Sequence, residues 1–233
     1  MSDVIEEQKS ALIIGASRGL GLGLSLELLK RGWRVTATVR SATGGTGLEA
    51  YHARVTMDTL DINNLSSVSA FVHRLEGQVF DVVLVNAGTG GPEGKTPETV
   101  SSEDMTHLIM TNAISPIRLA GKLLPMVKPG TGILAFMSSV LGSVERNTSG
   151  ALPLYSASKA ALNSLTRNFV ATLGEQNITV LSLHPGWVRT DMGGPHADID
   201  VETSVTGLAD VLSAQAGVGG HSFLDYTGKT LPW

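Results

Sequence analysis

Short runs of aliphatic and β-branched residues alternate along the chain with longer stretches in which apolar positions recur at helical spacing. That alternation predicts βαβ units on a mainly parallel sheet. The runs predict strands over 10–14, 33–39, 53–58, 79–85, 131–138, 178–183 and 221–226. The periodic stretches predict helices over 19–31, 64–76, 101–127, 153–174 and 202–215, the longest of them bent at Pro116. Within 79–88, "VFDVVLVNAG" is almost continuously apolar until Asn86, as a strand is when helices cover both faces of its sheet, so it belongs near the centre. The first helix, "LGLGLSLELLKRG", closes on Lys30 and Arg31 followed by Gly32, with cations at its C-terminal end and glycine just beyond.

No linker, charge block or repeat divides the sequence, and the glycine-rich pieces "TGGTG" at 43–47 and "GTGGPEG" at 88–94 fall between elements as loops. Residues 1–233 therefore read as one domain. With 42% hydrophobic and 16% charged residues in 233, the chain has the composition of a folded domain with a sizeable core. A net charge of -4 gives no long-range attraction for nucleic acid or an anionic membrane, so neither is expected as a partner. The absence of cysteine removes disulfides, thiol nucleophiles and iron–sulfur clusters, and suits a cytoplasmic protein. The six histidines, at 52, 73, 107, 184, 196 and 221, lack ligand spacing, and no metal site is expected. His184 reads as a packed residue at a strand end. The opening "MSDVIEEQKS" lacks the basic and apolar regions of a secretory signal, and no apolar run approaches the ~20 residues of a membrane-spanning helix.

Three pieces carry chemistry. In "LIIGASRGLGLGL", residues 12–24, a strand runs into glycines at 15, 19 and 21. Gly15 permits a tight turn, while Gly19 and Gly21 allow close backbone approach to a ligand and to the sheet. The helix that follows opens with free N–H groups, which suits a diphosphate; the alternative is a ligand-free turn. The spacing is GxxxGxG, which is neither GxGxxG nor a P-loop. In "LYSASKAALNSL", Tyr155 and Lys159 stand one helical turn apart on one face. Composition alone gives such a pair in roughly one chain in ten, and its alternative reading is a solvated face. A phenol with a pKa near ~10 needs a neighbouring cation to ionise near neutral pH, and Lys159 would supply one. Ser138 and Ser139 end the strand "GILAFMSS", where hydroxyls point to the crevice of an open parallel sheet or simply form a turn.

Taken together, "GASRGLG", "NAG" at 86–88, Asn112 in "MTNAIS", "SSVLG", "YSASK" and "HPGWVRTDM" resemble the short-chain dehydrogenases/reductases, in that family's order and over essentially the whole chain. "HPGWVRTDM" and the ending "FLDYTGKTLPW" are most similar to its C-factor and sniffer-like carbonyl reductase branch. The resemblance implies a Rossmann fold, α/β, with a doubly wound seven-stranded parallel sheet and helices on both faces. It implies a nicotinamide cofactor and hydride transfer to or from a carbonyl or alcohol carbon. Tyr155 would be the general acid or base, Lys159 would hold the ribose and lower the tyrosine pKa, Ser139 would bind the reacting oxygen, and Asn112 would position a water. Gly15, Ser17, Arg18, Gly19, Leu20 and Gly21 would cradle the diphosphate. Asp61 and Ile62 would flank adenine, Asn86, Ala87 and Gly88 would lie along the adenosine half, and Pro185, Gly186, Val188 and Thr190 would face the nicotinamide amide. Ser139 is preferred over Ser138 because the family serine directly precedes a "VxG"-like turn, as in "SVLG". The chain departs from the pattern at Ile14, where a threonine is usual, and in a gap of about three extra residues between Ser139 and Tyr155.

The second strand ends in Arg40 and Ser41, with no carboxylate before Glu49. A ribose 2′-hydroxyl wants a carboxylate there, whereas a 2′-phosphate wants a cation. Arg40 with Arg18 therefore points to NADP(H), with NAD(H) as the alternative, and solvated arginines as the plain reading. The expected function is an NADPH-dependent carbonyl reductase acting on a small molecule; the alternative is an idle dinucleotide-binding signalling protein of the same fold. Segments 89–98, 140–154 and 191–205 would form a mostly apolar substrate pocket. Family members are often homodimers or homotetramers, and relatives in this branch include monomers.

Overall fold

Each apolar run of the sequence becomes a strand of one sheet in the computed structural model, which describes residues 8–41, 47–174 and 177–233. The strands are β1 Ser10–Ile14, β2 Arg34–Val39, β3 Val55–Thr59, β4 Val82–Val85, β5 Ile133–Met137, β6 Thr179–His184 and β7 Gly220–Asp225. All pair in parallel, in the order β3-β2-β1-β4-β5-β6-β7. The helices are α1 Gly19–Lys30, α2 Leu65–Arg74, α3 Ser102–Ile109, α4 Ser115–Leu123, α5 Pro153–Thr172 and α6 Val201–Ala214. The chain builds outward from β1 to β3, then returns to place β4 on the other side of β1. The connections leaving β1 and β4 therefore diverge, and a crevice opens between them at the strands' C-terminal ends.

Strand alternation divides the core into two layers. Ala11 and Ile13 of β1 pack with Leu24 and Leu28 of α1 and Leu208 and Leu212 of α6. Leu12 and Ile14 face the other way, towards Phe71 of α2, Leu119 and Leu123 of α4 and Leu162 of α5. Each fully buried leucine or phenylalanine contributes about 1.5–3 kcal/mol from its removal from water. Asn64, Ser101 and Asp200 cap α2, α3 and α6, accepting from Ser67 N at 2.9 Å, Asp104 N at 3.0 Å and Thr203 N at 2.8 Å. Arg31 and Gly32 end α1 as anticipated, with Gly32 at φ +88°.

Two expectations are corrected. The strand predicted from residue 79 begins at Val82, because the Asp81 carboxylate takes the Ser10 N–H at 2.8 Å and Phe80 makes only an isolated bridge to Val127. The helix predicted over 101–127 is α3, a π turn over Met110–Ile114, α4, and a 3₁₀ turn over Leu124–Met126. Pro116 does not cause the interruption. It stands in the first turn of α4, where its missing N–H costs nothing, and the π turn precedes it. Of the predicted loop at 43–47, only Gly47 lies within the described residues. No helix among the described residues is long and apolar enough to cross a membrane.

Beyond β7 the chain folds back on itself. Leu231 N donates to Phe223 O at 2.8 Å, and the Trp233 ring lies 5.4 Å from Phe223 and 4.7 Å from His221, with the Arg167 guanidinium 5.0 Å above it. Burial first, and then Arg167, pushes His221 down to about 4. Burial also pushes His184 down to about 4, helped by Arg146 and opposed by Asp225. Both are neutral in the fold. They add nothing pH-dependent above the unfolded value near ~6.5, and stability is lost as pH falls from there towards 4. At pH 5 this amounts to about 2 kcal/mol per histidine. Thermal melts of His221→Gln should therefore show a Tm drop between pH 7.5 and 5 that is smaller than the wild type's by about 4–8 °C. An equal drop would show that His221 is not part of the acid response.

Candidate active site

The glycine loop is shaped by what a side chain would strike. Gly15 has φ +90°, and a Cβ there would stand 2.8 Å from Ala87 Cα. Gly15 N donates to Thr38 Oγ1 at 3.0 Å, and Asn86 Nδ2 donates to Gly15 O at 2.7 Å. The loop leaving β1 is thus held by β2 on one side and by the segment after β4 on the other. A Cβ on Gly21 would collide with Gly15 O, 2.0 Å away. Unlike α2, α3 and α6, α1 has no side-chain cap, and unlike α3 and α6 it has no acidic residue in its first turn. Its leading N–H groups are available to an anion, and the glycines leave the backbone bare beside them. This cradle fits a diphosphate. Ser17 and Arg18 are exposed on it, and Leu20 is half-buried.

Arg40 stands exposed just past β2. Arg18 Nη1 lies 2.6 Å from Asp191 Oδ2 across the crevice, with both side chains largely in solvent. Asp61 is exposed and its Oδ1 accepts from Asn63 N at 2.9 Å, next to buried Ile62. On the far wall, Gly186 has φ +86° and a Cβ there would meet Ile199 at 2.7 Å. Pro185 O accepts from Ser204 Oγ at 2.6 Å, Val188 is buried, and Thr190 Oγ1 accepts from Gly193 N at 3.1 Å. A Cβ on Gly19 would lie 3.6 Å from Thr190 Cγ2, so the two walls nearly meet there.

In the crevice the Ser139 hydroxyl bears on the Tyr155 phenol, while its Oγ accepts from Leu141 N at 3.2 Å. Ser138 is committed elsewhere: it is buried, and its hydroxyl donates to Asn163 Oδ1 at 2.7 Å. Burial pushes the Tyr155 phenol up to about 12, against the lowering effect of Ser139. Lys159 is buried, pushed down to about 8, and donates from Nζ to Met137 O at 2.8 Å. Its Nζ stands 5.7 Å from the Tyr155 ring. The tyrosine is thus shifted upward, opposite to the lowering that the resemblance implies. Asn112 sits in the π turn, fully buried, with Oδ1 accepting from Thr89 N at 2.8 Å and Nδ2 donating to Thr89 O at 2.8 Å and Ser158 Oγ at 3.0 Å. A π turn rotates one residue out of helical register and often marks a site. Here it carries Asn112 across to the segment after β4. Gly88 stands beside this group: a Cβ on it would be 3.2 Å from Asn112 Oδ1 and 3.6 Å from Lys159 Nζ.

Sequence reasoning missed Thr38, Thr89, Ser158 and Asp191, the partners that fix Gly15, Asn112 and Arg18. Thr38 gave one faint signal, shared with Thr36: a hydroxyl residue inside a buried strand. The other three are held by pairings that no spacing reveals.

This sheet, with a glycine loop on β1 and a Tyr–Lys pair on α5, defines a class of dinucleotide-dependent oxidoreductase. The family model described as "short chain dehydrogenase" matches residues 9–198, and the chain belongs to that family. Its relatives include C-signal of Myxococcus xanthus, 36% identical over 154 residues, covering 66% of this chain and 92% of that protein. Among solved structures, a carbonyl reductase from Pseudomonas aeruginosa in complex with NADP is 41% identical, with a TM-score of 0.90. The carbonyl reductase Sniffer of D. melanogaster is 33% identical, with a TM-score of 0.87. Both superpositions cover 97% of this chain and 100% of the other.

Proposed function

We propose that this chain, read as one domain over 1–233, reduces a small-molecule carbonyl with NADPH. The observation that carries the reading is the Tyr155 phenol, with the Ser139 hydroxyl bearing on it and buried Lys159 beside its ring, in a crevice whose other end is an anion cradle. The NADP-bound Pseudomonas carbonyl reductase supports the choice of cofactor. NADPH supplies the hydride when bound.

The chain's own residues handle the oxygen. With a phenol near 12, Tyr155 keeps its proton at neutral pH and holds it for the carbonyl oxygen as charge builds there. The Ser139 hydroxyl donates to the same oxygen and fixes its direction. Lys159 spends one N–H on Met137 O and keeps two for ribose hydroxyls, with its cation beside the phenol. Both amide hydrogens of Asn112 are already given to Thr89 O and Ser158 Oγ, so only a second lone pair on Oδ1 is left to hold a relay water. Gly15, Ser17, Gly19, Leu20 and Gly21 cradle the diphosphate, Asn86, Ala87, Gly88, Asp61 and Ile62 border the adenosine half, and Pro185, Gly186, Val188 and Thr190 border the nicotinamide.

Arg40 and Arg18 hold the 2′-phosphate. Arg18 must leave Asp191 to do so, at little cost, since an exposed pair contributes about 0–1 kcal/mol. NADPH consumption, with NADH beside it, over a panel of aldehydes, ketones, quinones and oxoacyl thioesters tests the reaction. Arg40→Asp should weaken NADPH about 10- to 100-fold, the loss of one charge-assisted contact, and NADH less than about 2-fold. Equal losses for both would remove the 2′-phosphate from Arg40.

A further inference from the structure

The face of α5 that carries Tyr155 and Lys159 continues for one more turn, to Asn163. Residues four apart stack along a helix, so the three side chains form one stripe, and it crosses the end of β5. The stripe meets that strand end residue by residue. Lys159 Nζ donates to Met137 O at 2.8 Å, the Ser138 hydroxyl donates to Asn163 Oδ1 at 2.7 Å, and the Ser139 hydroxyl bears on the Tyr155 phenol. Asn163 then reaches one step further, donating from Nδ2 to Gly142 O at 3.2 Å. Its amide thus holds the residue before Ser139 with its oxygen, and with its nitrogen the residue that closes the turn after Ser139.

The turn between those two grips is small. Gly142 N donates to Ser139 O at 2.8 Å and Leu141 N to Ser139 Oγ at 3.2 Å, which makes a single 3₁₀ turn over Val140–Gly142 with Ser139 as its cap. Gly142 packs directly on α5, since a Cβ there would stand 2.8 Å from the Lys159 carbonyl carbon. Ser138 N is fixed to Leu183 O of β6 at 2.7 Å, so the aim of the Ser139 hydroxyl depends on where the other end of the turn is held. Asn163 is 4% exposed and Ser138 2%, a setting in which leucine would be the ordinary residue. A buried amide is tolerated there because both its ends are paired.

We propose that Asn163 is a positioning residue for the reaction: by gripping Ser138 and Gly142 it fixes the turn that aims the Ser139 hydroxyl at the reacting oxygen beside Tyr155. This rests on the carbonyl-reductase reading above. A donor displaced by about 1 Å loses much of its hold on the charge that builds on that oxygen, while ground-state binding changes less, so the loss belongs in kcat.

A double-mutant cycle on the full chain separates positioning from packing. Asn163→Leu keeps a side chain of similar shape and removes both grips; it should lower kcat for carbonyl reduction about tenfold, with KM for the carbonyl and for NADPH within about twofold. Ser139→Ala should lower kcat about 10²-fold, the loss of one donor to the developing oxyanion. Independent effects would bring the double variant to about 10³-fold, whereas Asn163→Leu added to Ser139→Ala should cost less than about twofold more, because the hydroxyl it aims is already gone. Ser138→Ala releases one grip and leaves the other; it should lower kcat about threefold, and it takes the place of Asn163→Leu in the cycle if that variant does not fold. Losses that multiply would overturn the proposal. So would a lower Tm with kcat unchanged, which would make the amide a packing residue, or a loss confined to KM for NADPH, which would give it to the cofactor site. A wild type idle on every carbonyl would overturn the functional reading and this one with it.

Discussion

Tyr155→Phe is expected to lower carbonyl-dependent NADPH oxidation by about 10³-fold while NADPH affinity stays within about twofold. The substitution removes one oxygen and keeps the ring, so the packing on α5 beside buried Lys159 is unchanged. What disappears is the proton donor, and a positioned general acid contributes about 10²–10⁴-fold. The pH profile gives a second check. A phenol near 12 stays protonated through neutral pH, so the reductive rate should be flat from pH 6 to 7.5. Lys159, held near 8 by burial, then loses its cation, and the rate should fall above that pH. The reverse reaction needs the phenolate and should rise with pH over the same interval. Turnover unchanged in Tyr155→Phe would take Tyr155 out of the mechanism, and tight NADPH binding with no oxidation in wild type would favour a signalling role.

The parts of this molecule visible in sequence are those whose cause is local. β1, its glycine turn and the end of α1 each follow from residues within a few positions, and Gly15 and Gly32 take up the positive φ that their places demand. The all-parallel sheet follows from the alternation of runs and periods, because parallel neighbours need helical crossovers. The π turn at 110–114 was invisible because its cause is tertiary. Asn112 is drawn to Thr89 and Ser158, 23 and 46 residues away, and the helix widens to let it reach them. Pro116 looked like the reason for a bend because it is the proline nearest the middle of the stretch. Arg18 was read as a phosphate ligand from its charge and position, but its partner Asp191 is 173 residues distant. Of the two serines after β5, Ser138 gives its hydroxyl to Asn163 and Ser139 bears on the Tyr155 phenol, a difference that the turn after Ser139 hints at in sequence and the pairing of Ser138 does not. Leu152 gave no signal, since nothing in "GALPLY" announces a leucine at φ +46°.

Gly21→Ala is expected to lower Tm by about 5–10 °C and NADPH affinity by at least tenfold, whereas Gly23→Ala should lower Tm with NADPH affinity kept within about twofold. The two glycines are one residue pair apart on α1 and differ only in what they face. A Cβ on Gly21 would come 2.0 Å from Gly15 O and 2.5 Å from Asn86 Nδ2, the two atoms joined by the hydrogen bond that closes the cradle. Gly15 O is backbone, and Asn86 Nδ2 is held against it by that bond, so the methyl group must push the β1–α1 loop off the segment after β4. Overpacking costs about 1–3 kcal/mol, and losing the half-buried hydrogen bond adds about 1 kcal/mol. The same displacement moves the N–H groups that face the diphosphate, and every ~1.4 kcal/mol lost there is a factor of ten in affinity. A Cβ on Gly23 would instead meet Val201 Cγ1 at 2.5 Å and Val205 Cγ1 at 3.3 Å, side-chain ends on α6 that can rotate away. That strain stays in the α1–α6 contact on the far side of the helix. Calorimetric NADPH titrations of the two variants with their melting curves separate the cases, and equal affinity losses in both would mean that the loop answers to α1 as a whole and that Gly21 has no special place in the cradle.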